Sequence, residues 1–416
     1  MSRVWFAYKE AFRGLPESIW WLSLVLFVNR SGAMVITFLA LYLTQELGHP
    51  ITAAGWLLSI YGAGHLTGAF LGGWLVDRIG ALRIQFLALA ASGVGYLVME
   101  HVHSLPVMAL VVYLTATMAE SFRPANGAAL AEMAPPELRT RAVALNRLAI
   151  NLGWSVGPAL GGLLAAYDYK WLFRVDGATC LVAAFLLFRL KRQGRLRKAV
   201  YDEVGGAAEP EGIHPVRDRE FWAFLGLTAL AAVVFFQAWG PYPVYLKEVY
   251  GFSEAQYGLL MAVNAVMILL FEVVLTHRTE KIHPMTVTGL GIFLVALGFG
   301  VLPLGLGWVL ATVSVMIWTT GEMLAIPASG GWVANRAGSR HRGMYMGLHT
   351  SAWGVAMIVG PVLGTWVYTH YSPAALWYGV VGVGAVGWVG FEALRRHLDR
   401  STTATTAPEP VVSAGL

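Results

Sequence analysis

The chain has 416 residues, of which 57% are hydrophobic and only 13% charged, and its mean hydropathy is +0.60. These values exclude an ordinary soluble domain and predict a polytopic membrane protein. The formal net charge of +5 is attributed to membrane topology rather than to nucleic-acid binding, and the single cysteine, Cys180, excludes an internal disulfide and a cysteine metal cluster.

Apolar residues recur in windows that are each long enough to cross a hydrocarbon core of about 30 Å. Six windows precede a polar stretch and six follow it: residues 19–44, 53–76, 84–102, 105–131, 143–167 and 171–190, then 221–246, 254–276, 285–303, 306–333, 344–369 and 374–394. They predict an all-α polytopic membrane protein with twelve transmembrane helices, named helix 1 to helix 12. Continuous apolar runs exclude a closed β-barrel.

The distribution of cations predicts the orientation of these helices. All but five of the 29 Lys and Arg residues fall at the two termini or in the even-numbered loops. By the positive-inside rule both termini are therefore cytoplasmic, in agreement with an even number of helices. The first 20 residues contain acidic side chains and no small-residue cleavage site, which predicts a retained interfacial helix before an uncleaved helix 1.

The polar stretch from 191 to 220 divides the chain into two units. It begins with five cations and continues rich in Gly, Ala, Glu and Pro, which is typical of a cytoplasmic linker. We therefore expect an N-terminal six-helix bundle over 1–190 and a C-terminal six-helix bundle over 221–396. The tail from 397 to 416 is low in charge and bulk, and we expect it to be disordered.

The two predicted bundles share an internal repeat with an offset of 203 residues. The matched positions are Pro124 and Pro327, Gly157 and Gly360, Pro158 and Pro361, Gly161 and Gly364, Asp77 and Glu280, and Arg78 and Lys281. The second bundle is thus a diverged copy of the first. Parallel repeats of six helices are one of the known plans of secondary transporters.

Three motifs carry a resemblance to a known family. The loop after helix 2 reads "GGWLVDRIGALR", and helix 5 contains "NLGWSVGPALGG". Helices 4 and 10 contain the paired "AESFRP" and "GEMLAIP". Together they resemble the major facilitator superfamily of transporters, nearest to its twelve-helix drug:proton antiporter group. The chain departs from the family pattern at Ala81, where Arg is usual, and at Ala144, where the full antiporter motif has Gly.

The resemblance implies a cytoplasmic latch at the end of helix 2, built from Gly73, Asp77, Arg78 and Gly80. An acidic side chain there can pair with a neighbouring Arg or a helix N-terminus and so hold one conformer. The alternative interpretation is a solvated turn, since exposed pairs contribute only about 0 to 1 kcal/mol.

The glycines of helix 5 predict a close helix contact, because small residues spaced by four form a flat face inside a membrane. Gly153, Gly157 and Gly161 have that spacing, and Pro158 bends the helix. The resemblance implies that this face, with Gly162, is a gate against the other bundle, and that the following residues of helix 11 form its counterpart: Gly360, Pro361 and Gly364. Ordinary packing is the alternative.

Ionisable groups deep in a membrane are costly and usually functional. The candidates for proton coupling or for the substrate cavity are Arg30 with the adjacent Asn29, Glu120, Arg123, Glu272 and Glu322. Glu120 and Arg123 are three residues apart and can pair, and Glu272 can pair with a loop cation. Glu322 has no partner within one turn of its own helix. Desolvation favours its neutral form, which makes it a candidate proton carrier that a cationic substrate displaces.

Weaker signals complete the sequence reading. Trp239, Tyr242, Tyr245 and Trp318 are candidates for an aromatic cavity lining, with the interfacial aromatic belt as the alternative. His65 is interpreted as a hydrogen-bonded packing residue rather than as a titrating one. Asp176 with Arg174 is interpreted as an interface pair. The "HVH" at 101–103 is interpreted as a solvated helix end rather than a metal site, so no metal is expected.

These observations favour a secondary transporter that exports small lipophilic or cationic compounds in exchange for protons. The expected partners are a small-molecule substrate, protons and the lipid bilayer of a bacterial inner membrane, with a monomeric protein, no nucleic acid and no cofactor beyond the proton gradient. Proton-coupled uptake of a zwitterion is the first alternative, with Arg30 and Arg123 holding a carboxylate and Glu322 an amine, as in the peptide transporters of the same superfamily. A non-transporting sensor or scaffold is the second alternative. No P-loop, nucleophile elbow or catalytic cluster indicates an enzyme.

Overall fold

The computed structural model describes residues 12–197, 214–337 and 341–406. These residues form helices and no β-strand, so the all-helical prediction is confirmed. Eleven of the described helical segments are long and apolar enough to cross a membrane. Predicted helix 2 is present as a 29-residue helix, Ile51–Ile79, but six glycines lower its hydropathy and it is not among the eleven.

The observed helices follow the predicted order. Helix 1 has two pieces, Glu17–Ser31 and Val35–Leu41, and helices 2 to 6 are Ile51–Ile79, Ala81–Met99, Leu105–Met133, Arg139–Tyr167 and Lys170–Arg192. Helix 7 also has two pieces, Arg219–Phe235 and Pro241–Glu248, and helices 8 to 12 are Glu254–Thr279, Pro284–Gly300, Trp308–Arg336, Arg342–His370 and Pro373–Thr406. Helix 12 thus continues ten residues past the predicted boundary at 396. Three ranges lie outside the described residues: 1–11 of the predicted interfacial helix, 198–213 of the linker, and 407–416 of the tail.

The break in helix 1 is held by a carboxylate from helix 6. Each helix begins with backbone N–H groups that have no partner within the helix, and such groups are costly inside a bilayer. The Asp176 carboxylate accepts hydrogen bonds from the N–H groups of Met34, at 3.3 Å, and Val35, at 3.2 Å. The break in helix 7 follows a 3₁₀ turn at Phe236–Ala238, where Gln237 Nε2 donates to the Gly360 carbonyl at 3.0 Å.

The two halves of the chain share one apolar cluster at one end and have separate apolar clusters at the other. We call the end that carries the segment between the halves the linker face. At the opposite face one apolar cluster contains residues of both halves, including Phe38, Tyr169, Tyr242 and Trp377. Near the linker face each half has an apolar cluster of its own. The protein is therefore closed at the opposite face.

Helix 5 does not make the predicted glycine-face contact. A Cβ on Gly153 or Gly161 would meet helix 1 of the same half, at Arg30 and Met34 respectively. Gly157 faces the Ala33 carbonyl of the same helix. The predicted interbundle gate is therefore wrong for these three glycines, because a face with four-residue spacing presents one side of the helix and that side is occupied within the bundle.

The contact with the second half lies one residue further along helix 5. A Cβ on Gly162 would lie 2.6 Å from the Glu254 carbonyl oxygen and 2.8 Å from Gly258 Cα, both in helix 8. A Cβ on Gly258 would lie 2.7 Å from the Pro158 carbonyl oxygen. Helices 5 and 8 therefore touch backbone to backbone through Gly162 and Gly258.

Helix 11 repeats this arrangement with helices 7 and 2. Gly360 and Gly364 face helix 7 of their own half, at Val233 with Phe236 and at Gln237 with Pro241. The contact with the first half is made by Pro361, whose carbonyl would lie 3.0 Å from a Cβ on Gly55 in helix 2. The predicted counterpart of the gate is therefore wrong for Gly360 and Gly364, which pack within their own half, while Pro361 lies at the boundary between the halves.

Candidate functional site

Two adjoining cavities lie between the halves. The first, of about 90 Å³, is lined mainly by the first half and is named the N-half compartment. The second, of about 270 Å³, is lined mainly by helices 5, 7, 8 and 10 and is named the C-half compartment. Two side chains, Trp154 and Trp239, line both compartments. Polar and ionisable side chains of the N-half compartment are Asn29, Arg30, Tyr61, His65, Ser92, Tyr96, Glu120, Asp176 and Cys180.

Arg30 lines the N-half compartment. Its Nε atom is buried and has no hydrogen-bond partner among the described residues. The neighbouring Asn29 donates to the Cys180 sulfur at 3.2 Å. The Arg30 guanidinium, in the last turn of the first piece of helix 1, therefore has an Nε–H group that no described residue accepts.

Glu120 is buried and is shared between two basic side chains. His65 Nε2 lies 2.9 Å from Glu120 Oε2, and Arg123 lies 3.4 Å from Glu120 Oε1. Glu120 and Arg123 do pair, but His65 is the closer partner and lines the cavity with Glu120. The Arg123 side chain is 59% exposed and does not line either compartment. Arg123 is thus not a cavity residue in this conformer.

The proposed interface pair of Asp176 with Arg174 is wrong. Arg174 instead binds Glu100, which follows helix 3, with an Nη2–Oε1 distance of 2.5 Å. This hydrogen bond holds the pKa of Glu100 below its usual range. Asp176 points into the protein and caps the second piece of helix 1. Side chains two residues apart on a helix do not face each other, which explains the separation.

Glu322 lines the C-half compartment with the apolar side chains Ile150, Ala265 and Ile268. Its nearest polar partner comes from helix 8: Asn264 Nδ2 donates to Glu322 Oε2 at 3.1 Å and to Thr319 Oγ1 at 3.0 Å. No ion pair to Glu322 is present among the described residues. The carboxyl group therefore has a neutral amide partner, which the sequence did not reveal.

Glu272 does not belong to either compartment. It forms an ion pair with Arg147 of helix 5, across the boundary between the halves. Both residues line a neighbouring groove, which shares Asn151 and Ile268 with the C-half compartment. The expected partner in a loop is thus replaced by a cation in the other half, and Glu272 lies beside the C-half compartment rather than in its lining.

The aromatic lining differs from the predicted set. Trp239 and Trp318 line the C-half compartment. Tyr242 and Tyr245 are buried in the apolar cluster of the closed face, because they follow the break in helix 7 and point away from the cavity. Trp154 was not predicted; its ring is nearly parallel to that of Trp239, with a centroid distance of 6.3 Å and an interplanar angle of 12°.

Three of the latch residues, Asp77, Arg78 and Gly80, are exposed in this conformer, and Gly73 is half-buried. Asp77 makes no hydrogen bond or ion pair with any other described residue, and Arg78 lies over the Trp74 ring at 3.8 Å. Gly80 has φ +87°, a conformation that favours glycine, and a Cβ on Gly73 would meet open space. The open position of Asp77 agrees with halves that are separated at the linker face. No group of three metal-ligating side chains occurs among the residues that the structure describes.

Chemically, the two compartments offer charged, polar and aromatic groups for binding. Carboxyl groups, a guanidinium, a histidine and stacked indoles line a cavity that both halves build, which suits a small molecule with polar and apolar parts. The described cavity residues include no nucleophile with an adjacent base and orienting group. The arrangement therefore fits binding and release of a solute.

Comparisons with known proteins agree with this geometry. Residues 22–356 match the Major Facilitator Superfamily. A Na(+), Li(+), K(+)/H(+) antiporter of Planococcus maritimus is 25% identical over 383 residues, covering 85% of this chain and 88% of that protein. The class G tetracycline resistance protein of Vibrio anguillarum is 28% identical over 362 residues, covering 82% and 86%.

A solved structure shares the fold. The crystal structure of a peptide transporter POT in complex with sulfate has a TM-score of 0.78 at 16% identity, and the match covers 94% of this chain and 96% of that chain. At this identity the likeness establishes the fold alone. With the family match over most of its length, the chain belongs to the Major Facilitator Superfamily and is a membrane transporter.

Proposed function

We propose that the protein exports lipophilic or cationic compounds in exchange for protons, with Glu322 as the coupling carboxyl group. The observation that carries the proposal is the position of Glu322 in the C-half compartment. It lies among apolar and aromatic side chains, with Asn264 as its hydrogen-bond donor and no cation paired to it among the described residues.

The chemistry of that position favours exchange. An ionised carboxylate without a partner is unfavourable in an apolar setting. The Glu322 side chain is therefore more stable with a bound proton or a bound cationic solute than as an unpaired anion. Indole rings next to it favour cations through their negative faces. Competition between proton and solute for one carboxyl group is the minimal mechanism of antiport. The relatives in Planococcus and Vibrio, an antiporter and a tetracycline resistance protein, are consistent with this proposal.

Proton-coupled uptake of a zwitterion is the second candidate, and one observation favours it. The unpartnered Nε of Arg30 can bind a carboxylate. A zwitterion that also reached Glu322 would have to pass between Trp154 and Trp239, which line both compartments. We rank export first because the larger compartment contains Glu322 and not Arg30.

The proposal also covers the number of membrane crossings and the side on which the termini lie. We infer twelve membrane crossings, with Ile51–Ile79 as the crossing whose glycines lower its hydropathy, and both termini in the cytoplasm of a bacterial cell. The linker face then opens to the cytoplasm. The protein is proposed to act as a monomer, because each compartment is complete within one chain.

Glu322→Gln tests the coupling step in proteoliposomes with an imposed pH gradient. The amide has nearly the size of the carboxyl group but cannot exchange a proton, so gradient-driven transport should fall by about tenfold or more. Glu137→Gln, an exposed change in the turn before helix 5, serves as the matched control and should transport within about twofold of wild type.

Two outcomes would overturn this assignment. Wild-type rates of gradient-driven transport in Glu322→Gln would remove Glu322 as the coupling group. Accumulation of dipeptides that is abolished by Arg30→Ala would favour the uptake candidate over export. Protein yield and thermal stability, measured for each variant, separate loss of coupling from loss of folding.

A further inference from the structure

We propose that Trp154 and Trp239 form an aromatic clamp that selects flat aromatic cations as substrates. The inference rests on the proposed function and names the substrate class of the same cavity. One indole comes from helix 5 of the first half and the other from the break in helix 7 of the second half. Their planes are 12° from parallel and their centroids are 6.3 Å apart.

The near-parallel planes of the two indoles suit stacking of one flat ring system between them. Aromatic carbon atoms contact best at about 3.5 to 4 Å, so a ring between two others needs roughly 7 Å from outer plane to outer plane. The two halves, which carry one indole each, must move apart until the planes reach that separation. A tetraalkylammonium cation has no aromatic ring and cannot stack in this way.

Each indole is fixed to its own half. The Trp239 ring meets the Phe236 ring edge to face at a centroid distance of 5.3 Å, and Phe236 in turn contacts Trp353 of helix 11. Trp154 follows Gly153, whose backbone lies against Arg30 and Ser31 of helix 1. Because the two supports belong to different halves, relative motion of the halves changes the separation of the rings.

The charges around the clamp orient the bound molecule. The C-half compartment, on one side of the indoles, contains Glu322, and the N-half compartment contains Arg30. A cationic group is therefore favoured toward Glu322 and disfavoured toward Arg30. The geometry fits a planar aromatic ring system with its positive charge directed into the C-half compartment.

The test compares two permanent monocations, planar ethidium and tetrahedral tetrabutylammonium, binding to the purified full-length protein. Trp154→Leu should raise the Kd of ethidium about tenfold and change the Kd of tetrabutylammonium less than about twofold. Trp154→Phe should restore most ethidium binding, since it returns an aromatic face. Trp366→Leu, at a position that is 45% exposed on helix 11, is the control and should bind both cations as wild type does.

Several results would overturn the clamp. Wild-type protein that does not bind ethidium, a Trp154→Leu variant that binds ethidium within twofold of wild type, or an equal loss for both cations would each contradict selection by shape. Failure of the proposed function is distinguishable, because Glu322→Gln should weaken both cations alike. If Glu322→Gln affects neither cation while Trp154→Leu affects ethidium alone, the clamp is correct and the coupling group is wrong.

Discussion

At the scale of single residues, Asp218 shows how one carboxylate organises the linker face of the second half. It accepts the Phe221 N–H at the start of helix 7, at 3.0 Å, and binds Arg336 of helix 10 through two bonds of 2.6 and 2.8 Å. Tyr345 of helix 11 donates to it at 2.7 Å. Three helices thus converge on one side chain that lies just before the membrane segment. Burial raises the pKa of Asp218, but Arg336 and Tyr345 outweigh burial and hold it below its usual range.

Asp218→Asn should lower the free energy of unfolding by about 2 kcal/mol at pH 7, because Arg336 loses one of its two carboxylate partners. The loss is limited because Arg336 keeps its ion pair with Glu220, at 2.5 Å. Because the folded pKa is lowered, the stabilisation is complete above the unfolded value, near pH 4, and is lost as the pH falls through the folded value. The difference between wild type and variant should therefore shrink below about pH 4. Thermal unfolding in detergent at pH 7 and pH 3 measures this. Asp77→Asn, at an exposed position, is the control, and a pH-independent difference would contradict the account.

At the scale of helices, the glycines of helix 5 serve two different neighbours. Gly153, Gly157 and Gly161 pack against helix 1, while Gly162 packs against helix 8. One residue corresponds to a rotation of about 100° around a helix, so adjacent glycines face different partners. Of these four glycines, only Gly162 lies at the boundary between the halves, where helices 5 and 8 slide past each other when the halves move. A bulky residue at Gly157 is therefore expected to disturb the first bundle rather than the gate.

Gly162→Ala should reduce transport about tenfold, because the added Cβ meets the backbone of helix 8 at 2.6 and 2.8 Å and backbone cannot rotate away. Gly127→Ala, in helix 4, is the matched control, since a Cβ there has nothing within 4 Å. Its transport should stay within twofold of wild type. Equal rates for the two variants would show that close contact of helices 5 and 8 is not needed for the cycle.

The positions of most helices could be predicted because hydropathy follows membrane depth. Predicted helix 4, at 105–131, is observed as Leu105–Met133. Contacts between helices were harder to predict, because hydropathy does not determine the rotation of a helix about its axis. For this reason Glu322 was identified without Asn264, and Trp239 without Trp154. The extension of helix 12 to Thr406 was missed because its last turns are polar and carry no signal of membrane depth.

At the scale of the whole molecule, the asymmetry between the two faces describes one state of a transport cycle. The apolar cluster at the closed face contains residues of both halves, and Tyr169 of the first half donates to Glu254 of the second at 2.7 Å. Near the linker face the clusters remain separate. Access to both compartments from the linker face is the expected consequence.

The proposed topology can be checked by cysteine labelling of intact cells. Gln45→Cys and Arg83→Cys are exposed positions on either side of the glycine-rich helix 2, and the native Cys180 is buried. If that helix crosses the membrane and the termini are cytoplasmic, a membrane-impermeant thiol reagent should label Gln45→Cys alone. Inverted vesicles should give the opposite pattern. Labelling of both variants from one side would show that helix 2 does not cross.

The capping of helix 1 by Asp176 also constrains how this sequence can diverge. Two backbone N–H groups, at Met34 and Val35, depend on a carboxylate that lies more than 140 positions away in the chain. A descendant that lost Asp176 alone would leave both groups unpaired in an apolar interior, and one that straightened helix 1 alone would leave a buried carboxylate without donors. Position 176 and the segment between the two pieces of helix 1 are therefore expected to be inherited as a unit and to vary together among relatives.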